Sequence, residues 1–238
     1  MTAALMADYG GHPVRAARFV AAMAAAGVRA VVTAPADSPQ PHAATVEIPE
    51  AWLPDNGQPR ARRQWWRHHA EYLAAWQAGL ADADLVWCVE GDVWAADDTW
   101  ARLIKETADD PADGLFVSLT GQIGMAASGW FGHPTTPPWM RHQCLGAICR
   151  LSRRALGWLA DSAEETREAF GEATVPSTLA RAGGTIRELN VAGPKGYCGV
   201  NQGRWFYNRA SMTAPPRRPT VHGMLLNHPC KGDDANLA

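Results

Sequence analysis

The sequence of 238 residues has no excess of positive charge, because 22 lysines and arginines stand against 24 aspartates and glutamates. Nucleic-acid-binding domains carry a clustered basic excess, so we expect no nucleic-acid partner. No run of about 20 apolar residues is present, so we also expect no membrane span. The first residues lack a basic start before their apolar run, which argues against a signal peptide.

Cysteine is scarce and its spacing indicates no pairing. The five cysteines are odd in number and include no Cys-x-x-Cys pair, so neither a disulfide framework nor a zinc ribbon is expected. Reduced thiols are typical of the cytoplasm, which is the predicted location. The Gly-x-Gly-x-x-Gly fingerprint and the Walker lysine loop are also missing, which argues against two common kinds of nucleotide-binding loop.

The patterns that are present alternate between strand and helix. Apolar runs at 3–7 and 28–33 flank an alanine-rich helical pattern at 14–26, which Gly27 ends. This β-α-β unit predicts an α/β protein with a parallel sheet and a right-handed crossover. Further strands are predicted at 45–48, 85–89, 115–119, 145–151 and 185–189. Further helices are predicted at 60–80, 97–107, 153–159 and 176–182.

The apolar run at 85–89 ends at two carboxylates, Glu90 and Asp92, which Gly91 separates. Residues two apart on an extended backbone point the same way, so both side chains can aim at one point beyond the strand. Two hard oxygen ligands suit Mg²⁺ or Mn²⁺, and Gly91 lets a phosphate come close. An acid at a strand end is also a common turn residue, and the motif alone favours that simpler interpretation.

Arginine and tryptophan mark two further stretches. Four arginines open the predicted helix at 60–80, and guanidinium groups match phosphate oxygens bidentately, so Arg63 is a candidate diphosphate contact. A solvated basic face is the alternative interpretation. Trp130, Phe131 and Trp139 fall in a long predicted loop at 120–140, where they are candidates for stacking on a sugar ring or for packing.

The order of these parts resembles the nucleotide-sugar glycosyltransferases of the GT-A fold. The stretches that carry the resemblance are the β-α-β start, 85–92 with its Glu-x-Asp end, 146–156 followed by 172–180, and the His-Pro-Cys-Lys at 228–231. The resemblance implies one three-layer α/β/α Rossmann-like domain over residues 1–238, with a mixed, mainly parallel central sheet. Residues 1–95 would form the nucleotide-binding half, and residues 96–238 the acceptor half with a C-terminal tail.

The resemblance also implies a reaction, in which a sugar moves from a nucleoside-diphosphate donor to a hydroxyl of a carbohydrate or small-molecule acceptor. A metal ion, Mn²⁺ or Mg²⁺, or a basic clamp would stabilise the charge on the leaving diphosphate. The candidate metal ligands are Glu90, Asp92 and His228, with His222 as the alternate to His228 and a surface histidine as the simpler interpretation. The candidate donor contacts are Asp8, Tyr9, Asp37, Arg63 and Lys231.

Glu172 is the candidate general base, because it precedes a predicted helix start near the loop predicted at 120–140, which the resemblance implies is the acceptor loop. Glu165 and Glu168 compete for that role, and most acids at 161–172 are typical of a solvated helix face. The sequence does not indicate an oligomeric state.

Two other classes of function are compatible with parts of the sequence. A metal-dependent α/β hydrolase could use Glu90, Asp92 and His228, but it would need a further metal or base cluster, and no Asp-x-His or His-x-His pair is present. A non-catalytic carbohydrate-binding protein would account for the 11 tryptophans. The β-α-β organisation and the acids at the strand end argue against the carbohydrate-binding protein.

Overall fold

The structure, a computed structural model, describes residues 1–7, 13–33, 45–46, 48, 51, 53, 55, 80–91, 93, 95, 97–120, 137–189, 199–201 and 225–227. Its helices are α1 (Pro13–Ala25), α2 (Asp97–Thr107), α3 (Arg153–Asp161) and α4 (Gly171–Arg181). Its strands are β1 (Thr2–Ala7), β2 (Arg29–Thr33), β3 (Thr45–Val46), β4 (Leu85–Glu90), β5 (Gly114–Thr120), β6 (Gln143–Ser152), β7 (Ile186–Glu188), β8 (Gly199–Asn201) and β9 (Leu225–Asn227).

Seven of these strands form one sheet in the order β3-β2-β1-β4-β6-β5-β7, and β8 pairs with β9 in a separate parallel pair. Within the large sheet, β6 runs antiparallel to both of its neighbours, β4 and β5. The other pairs are parallel. The prediction of a mixed, mainly parallel sheet is therefore confirmed. The chain starts at β1, moves outward to β3 and then returns to β4, so the strand order reverses between β1 and β4.

The sheet lies between two helical layers, because its apolar side chains alternate between faces. Ala4 and Met6 of β1 belong to the core under α1 and α2, whereas Ala3 and Leu5 belong to the core under α3 and α4. Phe19 of α1 meets Trp100 of α2 edge to face, with ring centroids 5.4 Å apart. This α/β/α arrangement confirms the predicted three-layer fold class.

Local signals set several element boundaries as predicted. α2 has the predicted bounds, Gly27 adopts a φ of 71° just past α1, and the Ser152 side chain caps α3 by accepting from the N–H of Ala155. The predicted start of the helix at 176 is wrong, because α4 begins at Gly171 and contains Pro176. Of the helix predicted at 60–80, only Leu80 lies in the described part of the chain.

A fully buried arginine joins the sheet to the end of α2. Arg150 of β6 is 0% exposed, and its guanidinium donates to the carbonyls of Thr107, Asp110 (2.9 Å) and Ala112 (2.7 Å). A cation at a helix C-terminus satisfies carbonyls that the helix leaves open and meets the negative end of the helix dipole. Arg150 therefore anchors the chain between α2 and β5 at the amino edge of the sheet.

Within the described ranges, no helix is long and apolar enough to cross a membrane.

Candidate functional site

The carboxyl ends of β1 and β4 lie side by side where the strand order reverses. Ala7, the last residue of β1, is the register partner of Glu90, the last residue of β4. The N–H of Gly91 then donates to the carbonyl of Ala7 at 2.7 Å, which fixes the chain as it leaves β4. Open α/β sheets bind ligands outside their carboxyl ends at such a reversal, so Glu90 stands at the expected place.

The same row of the sheet contains a group that the sequence interpretation missed. Thr33, the last residue of β2, pairs with Ala7 on the side away from Glu90. Neighbouring strands lie about 4.8 Å apart, so the backbones of Thr33 and Glu90 are roughly 10 Å apart with a small alanine between them. The Thr33 hydroxyl is buried and makes no hydrogen bond to any residue that the structure describes. A buried hydroxyl in that state carries a desolvation cost of about 1–3 kcal/mol.

Glu172 faces an irregular part of β6. One step along β5, from Phe116 to Val117, corresponds on β6 to the interval from Cys149 to Leu145, which creates a bulge. Inside that interval, the N–H of Gly146 donates to Oε1 of Glu172 at 2.9 Å. The side chain from the first turn of α4 therefore satisfies a backbone group at the bulge and is oriented by it.

The main chain of Glu172 is held on β6 as well. In a regular helix its carbonyl would accept from the N–H of residue 176, but Pro176 has no N–H. The thiol of Cys144 donates to that carbonyl at 3.6 Å. Pro176 thus leaves open a carbonyl at the start of α4, and Cys144 provides the donor that the helix lacks.

Cys144 is a buried thiol that contacts Glu172. Burial, followed by the charge of Glu172, raises the pKa of Cys144 well above its usual range, so the thiol is neutral at pH 7. Glu90 reaches the same part of β6, because it follows Val89, the register partner of Ile148, and Glu172 binds the N–H of Gly146, two residues before Ile148. The structure brings together these two acids, which the sequence analysis proposed for separate roles.

Glu188 is the acid at this edge that the sequence interpretation missed. It ends β7, and its Oε2 accepts from the backbone N–H of Leu119 near the end of β5. Its position at the end of a predicted strand was the available signal, the same one that identified Glu90.

The two competitors for the base role have other contacts. Oε1 of Glu165 accepts from Trp139 Nε1 at 2.8 Å and from Arg181 Nη1 at 2.7 Å, and the Arg181 guanidinium lies 4.4 Å from the centre of the Trp139 ring. Oε1 of Glu168 accepts from the N–H of Asp55 at 3.1 Å. These contacts give both glutamates a structural role, and they cover part of the Trp139 ring that was a candidate for sugar stacking.

The other candidate site residues lie outside the described part of the chain, so their predicted roles stay predictions. These are Asp8, Tyr9, Asp37, Arg63, Asp92, Trp130, Phe131, His222, His228 and Lys231. Among the described residues, no group of three or more His, Cys, Asp or Glu is placed to hold a metal ion. Glu90 is the member of the predicted ligand set within them, and its carboxylate is a hard oxygen donor of the type that Mg²⁺ and Mn²⁺ prefer.

Sequence comparison identifies no relative: no known protein family and no curated protein matches this chain. Comparison with solved structures finds similarity to the catalytic domain of Drosophila β1,4-galactosyltransferase 7 in complex with xylobiose, at 10% identity and a TM-score of 0.43. The aligned region covers 79% of this chain and 64% of that domain. A putative glucose-1-phosphate thymidylyltransferase from Bacillus anthracis in complex with a sucrose aligns at 9% identity and a TM-score of 0.44, covering 79% of this chain and 87% of the other.

Proposed function

We propose that the protein is a glycosyltransferase that moves a sugar from a nucleoside-diphosphate donor to an acceptor hydroxyl. The observation that supports this proposal is that Glu90 and Glu172 meet neighbouring parts of the carboxyl edge of the sheet. Glu90 follows Val89, which pairs with Ile148 of β6, and Glu172 accepts the N–H of Gly146, two residues before Ile148. Glu90 arrives from the strand reversal, where a donor would bind, and Glu172 arrives from the first turn of α4. In metal-assisted transfer with a general base, one acid holds the metal ion on the diphosphate side and another accepts the proton on the acceptor side.

In the proposed reaction, the acceptor oxygen forms a bond to the anomeric carbon of the donor sugar. The bond from that carbon to the diphosphate oxygen breaks, and its electron pair leaves with the nucleoside diphosphate. The acceptor proton passes to the carboxylate of Glu172, which acts as general base. The hydrogen bond from Gly146 fixes one oxygen of that carboxylate, so it restricts the rotation of the side chain that accepts the proton.

The donor would lie over the row that runs from Thr33 through Ala7 to Glu90. Ala7 projects only a methyl group, so a ligand can approach the sheet edge between the two polar side chains. The buried hydroxyl of Thr33 would gain its missing hydrogen bond from such a donor. A divalent cation at this place would offset the negative charge of the leaving diphosphate, and Glu90, Asp92 and His228 are the side chains proposed to hold it.

Thermal unfolding with UDP, GDP or CMP, each with and without Mn²⁺, tests the donor site. A nucleotide present at about 100 times its Kd should stabilise the protein by about 2.7 kcal/mol, because it binds the folded state alone. Failure of all three nucleotides to raise the Tm under either condition would refute the proposed donor site.

The variant Glu90→Gln separates the metal from the nucleotide. It should reduce the part of the stabilisation that depends on Mn²⁺, because an amide is a weaker ligand for a hard cation than a carboxylate. Glu165→Gln is the matched control, since Glu165 contacts Trp139 and Arg181. An equal loss in both variants would remove Glu90 from the proposed metal site.

A further inference from the structure

Residues 137–146, here called the junction segment, run from the end of the loop predicted at 120–140 into the first residues of β6. Several groups between residues 165 and 181 contact this segment from one side. Glu165 accepts from Trp139, Met140 packs with Ala169 and Ala173, and Glu172 binds the backbone of Gly146. The junction segment is therefore fixed on the same stretch of chain that supplies the proposed base.

Ser177 makes three hydrogen bonds to the backbone of the junction segment. Its hydroxyl accepts from the N–H of Arg141 at 3.1 Å and from the N–H of His142 at 2.9 Å, and it donates to the carbonyl of His142 at 2.9 Å. A hydroxyl has one proton to donate and two lone pairs, so these three bonds use its full capacity. Ser177 is 2% exposed, which means that water cannot readily replace it.

Most serine and threonine hydroxyls inside helices bond back to their own helix, and Thr174 does so. Its hydroxyl donates to the carbonyl of Phe170 at 3.0 Å and is fully buried. Ser177, three residues later in α4, instead directs all three bonds to the backbone of another element. One buried side chain therefore sets the path of the chain at the point where it enters β6.

We propose that Ser177 is a positioning residue, which holds the junction segment beside Glu172 and thereby sets the geometry of acceptor binding without touching substrate. This inference rests on the proposed transferase function. It assigns the acceptor side of the site to the surface formed by the junction segment and the start of α4. The donor row at the ends of β1, β2 and β4 makes no use of Ser177, so donor binding should not depend on it.

Hydrogen exchange in the free protein tests whether Ser177 holds the junction segment in place. In Ser177→Ala, amide exchange of the peptide covering residues 137–146 should accelerate about tenfold, because three backbone groups lose a buried partner. Ser177→Thr, which keeps the hydroxyl, should restore protection. Thr174→Val is the matched control: it removes a buried hydroxyl from the same helix and should leave the peptide unchanged. Unchanged exchange in Ser177→Ala, or equal acceleration in Thr174→Val, would overturn the proposal.

Steady-state kinetics test whether Ser177 affects acceptor binding and leaves donor binding unchanged. The donor is whichever UDP- or GDP-sugar supports turnover, and the acceptors are the methyl β-glycosides of glucose, galactose and xylose. Ser177→Ala should raise the KM for the acceptor about tenfold while it leaves the KM for the donor and the nucleotide-induced rise in Tm within about twofold of wild type. Ser177→Thr should recover the acceptor KM. A parallel rise in both KM values would overturn the assignment to the acceptor side.

The two proposals fail in distinguishable ways. Wild-type protein that neither binds the three nucleotides nor transfers sugar would refute the transferase, and the acceptor role of Ser177 with it. Wild-type protein that transfers sugar, combined with a Ser177→Ala variant of unchanged acceptor KM, would refute the role of Ser177 alone.

Discussion

The two edges of the central sheet use carboxylates in different ways. At the amino edge, Asp113 is buried, and its oxygens accept from Ser152 Oγ at 2.9 Å, from Arg154 Nη2 at 2.6 Å and from the N–H of Thr185 at 2.9 Å. Asp110 at the same edge accepts from Arg187 at 2.9 Å and stands beside the buried Arg150. Acids there are matched by guanidinium groups and tie the ends of strands and helices together.

At the carboxyl edge, carboxylates gather instead of being dispersed. Glu172 accepts the N–H of Gly146, Glu188 accepts the N–H of Leu119, and Glu90 ends β4 beside the strand reversal. Open α/β sheets bind ligands at the carboxyl edge beside such a reversal. The comparison leads us to propose that the amino edge stabilises the fold and that the carboxyl edge contains the chemistry. The predictions below test this division through turnover, ligand binding and the free energy of unfolding.

The largest expected effect is on turnover at the carboxyl edge. Glu172→Gln should lower kcat about a thousandfold, since an amide cannot accept the acceptor proton, while it can still accept the N–H of Gly146. The midpoint of urea unfolding and the nucleotide-induced rise in Tm should be retained. Glu165→Gln is the control and should keep turnover, because its amide oxygen can still accept from Trp139 Nε1. Retained turnover in Glu172→Gln would place the base elsewhere or indicate retention of configuration.

The second prediction tests stability at the amino edge. Arg150→Met should lower the free energy of unfolding by about 3 kcal/mol, because the carbonyls of Thr107, Asp110 and Ala112 lose a buried charged donor. Urea unfolding measures the loss. Arg153→Met is the control; this neighbouring arginine is half-exposed, and its removal should cost less than about 1 kcal/mol.

The nucleotide affinity of folded Arg150→Met shows whether this substitution affects the candidate site as well as stability. The folded fraction should keep wild-type affinity for the nucleotide that stabilises the protein, because Arg150 lies away from the strand reversal. A loss of affinity in the folded protein would show that the two edges are coupled, and the division of roles between them would not hold.

Asp113→Asn gives the third prediction, which concerns pH. Burial opposes ionisation of Asp113, but hydrogen bonds from Arg154, Thr185 and Ser152 outweigh it and hold the pKa below the usual 3.8. A carboxylate with a depressed pKa stabilises the fold fully above its unfolded pKa and loses that contribution as the pH falls through the folded value. The variant should therefore be less stable by about 2 kcal/mol at pH 7, and the gap should close below pH 3.8. Urea unfolding across this range measures it, and a gap independent of pH would contradict the account.

Much of the fold could be predicted because local signals determine it. The apolar runs of β1, β2 and β4, the helical pattern of α2 and the serine cap of α3 are all short-range features of the sequence. The start of α4 was mispredicted for a physical reason. Pro176 suggests the first turn of a helix, but here a thiol from β6 replaces the missing donor, so the helix can begin at Gly171. No local pattern contains a contact between residues 144 and 172.

The candidate site, like the fold, was predictable only where local signals determine it. Glu90 could be identified because an acid at the end of a buried strand is a local signal, and Glu172 because a resemblance identified its position. Their closeness depends on the bulge in β6 and on the antiparallel insertion of β6 beside β4, both of which arise from long-range pairing. Glu188 and Thr33 had the same local signal at a strand end. Their place in the site became visible only through the strand order.

The smallest effect is expected at the ion pair between Glu165 and Arg181, which is solvent-exposed, whereas the carboxylate of the Asp113–Arg154 pair is buried. Hydrogen bonds from Arg181 lower the pKa of Glu165, and both side chains are about half exposed. Glu165→Gln should change the free energy of unfolding by less than about 0.5 kcal/mol, since water screens an exposed pair, and 1 M NaCl should remove the difference. Urea unfolding of Glu165→Gln and Asp113→Asn side by side at both salt concentrations separates two explanations. If burial is what makes the amino edge stabilising, Asp113→Asn keeps its cost in salt and Glu165→Gln has none. Equal costs would instead assign the effect to arginine–carboxylate pairing itself, wherever it occurs in the molecule.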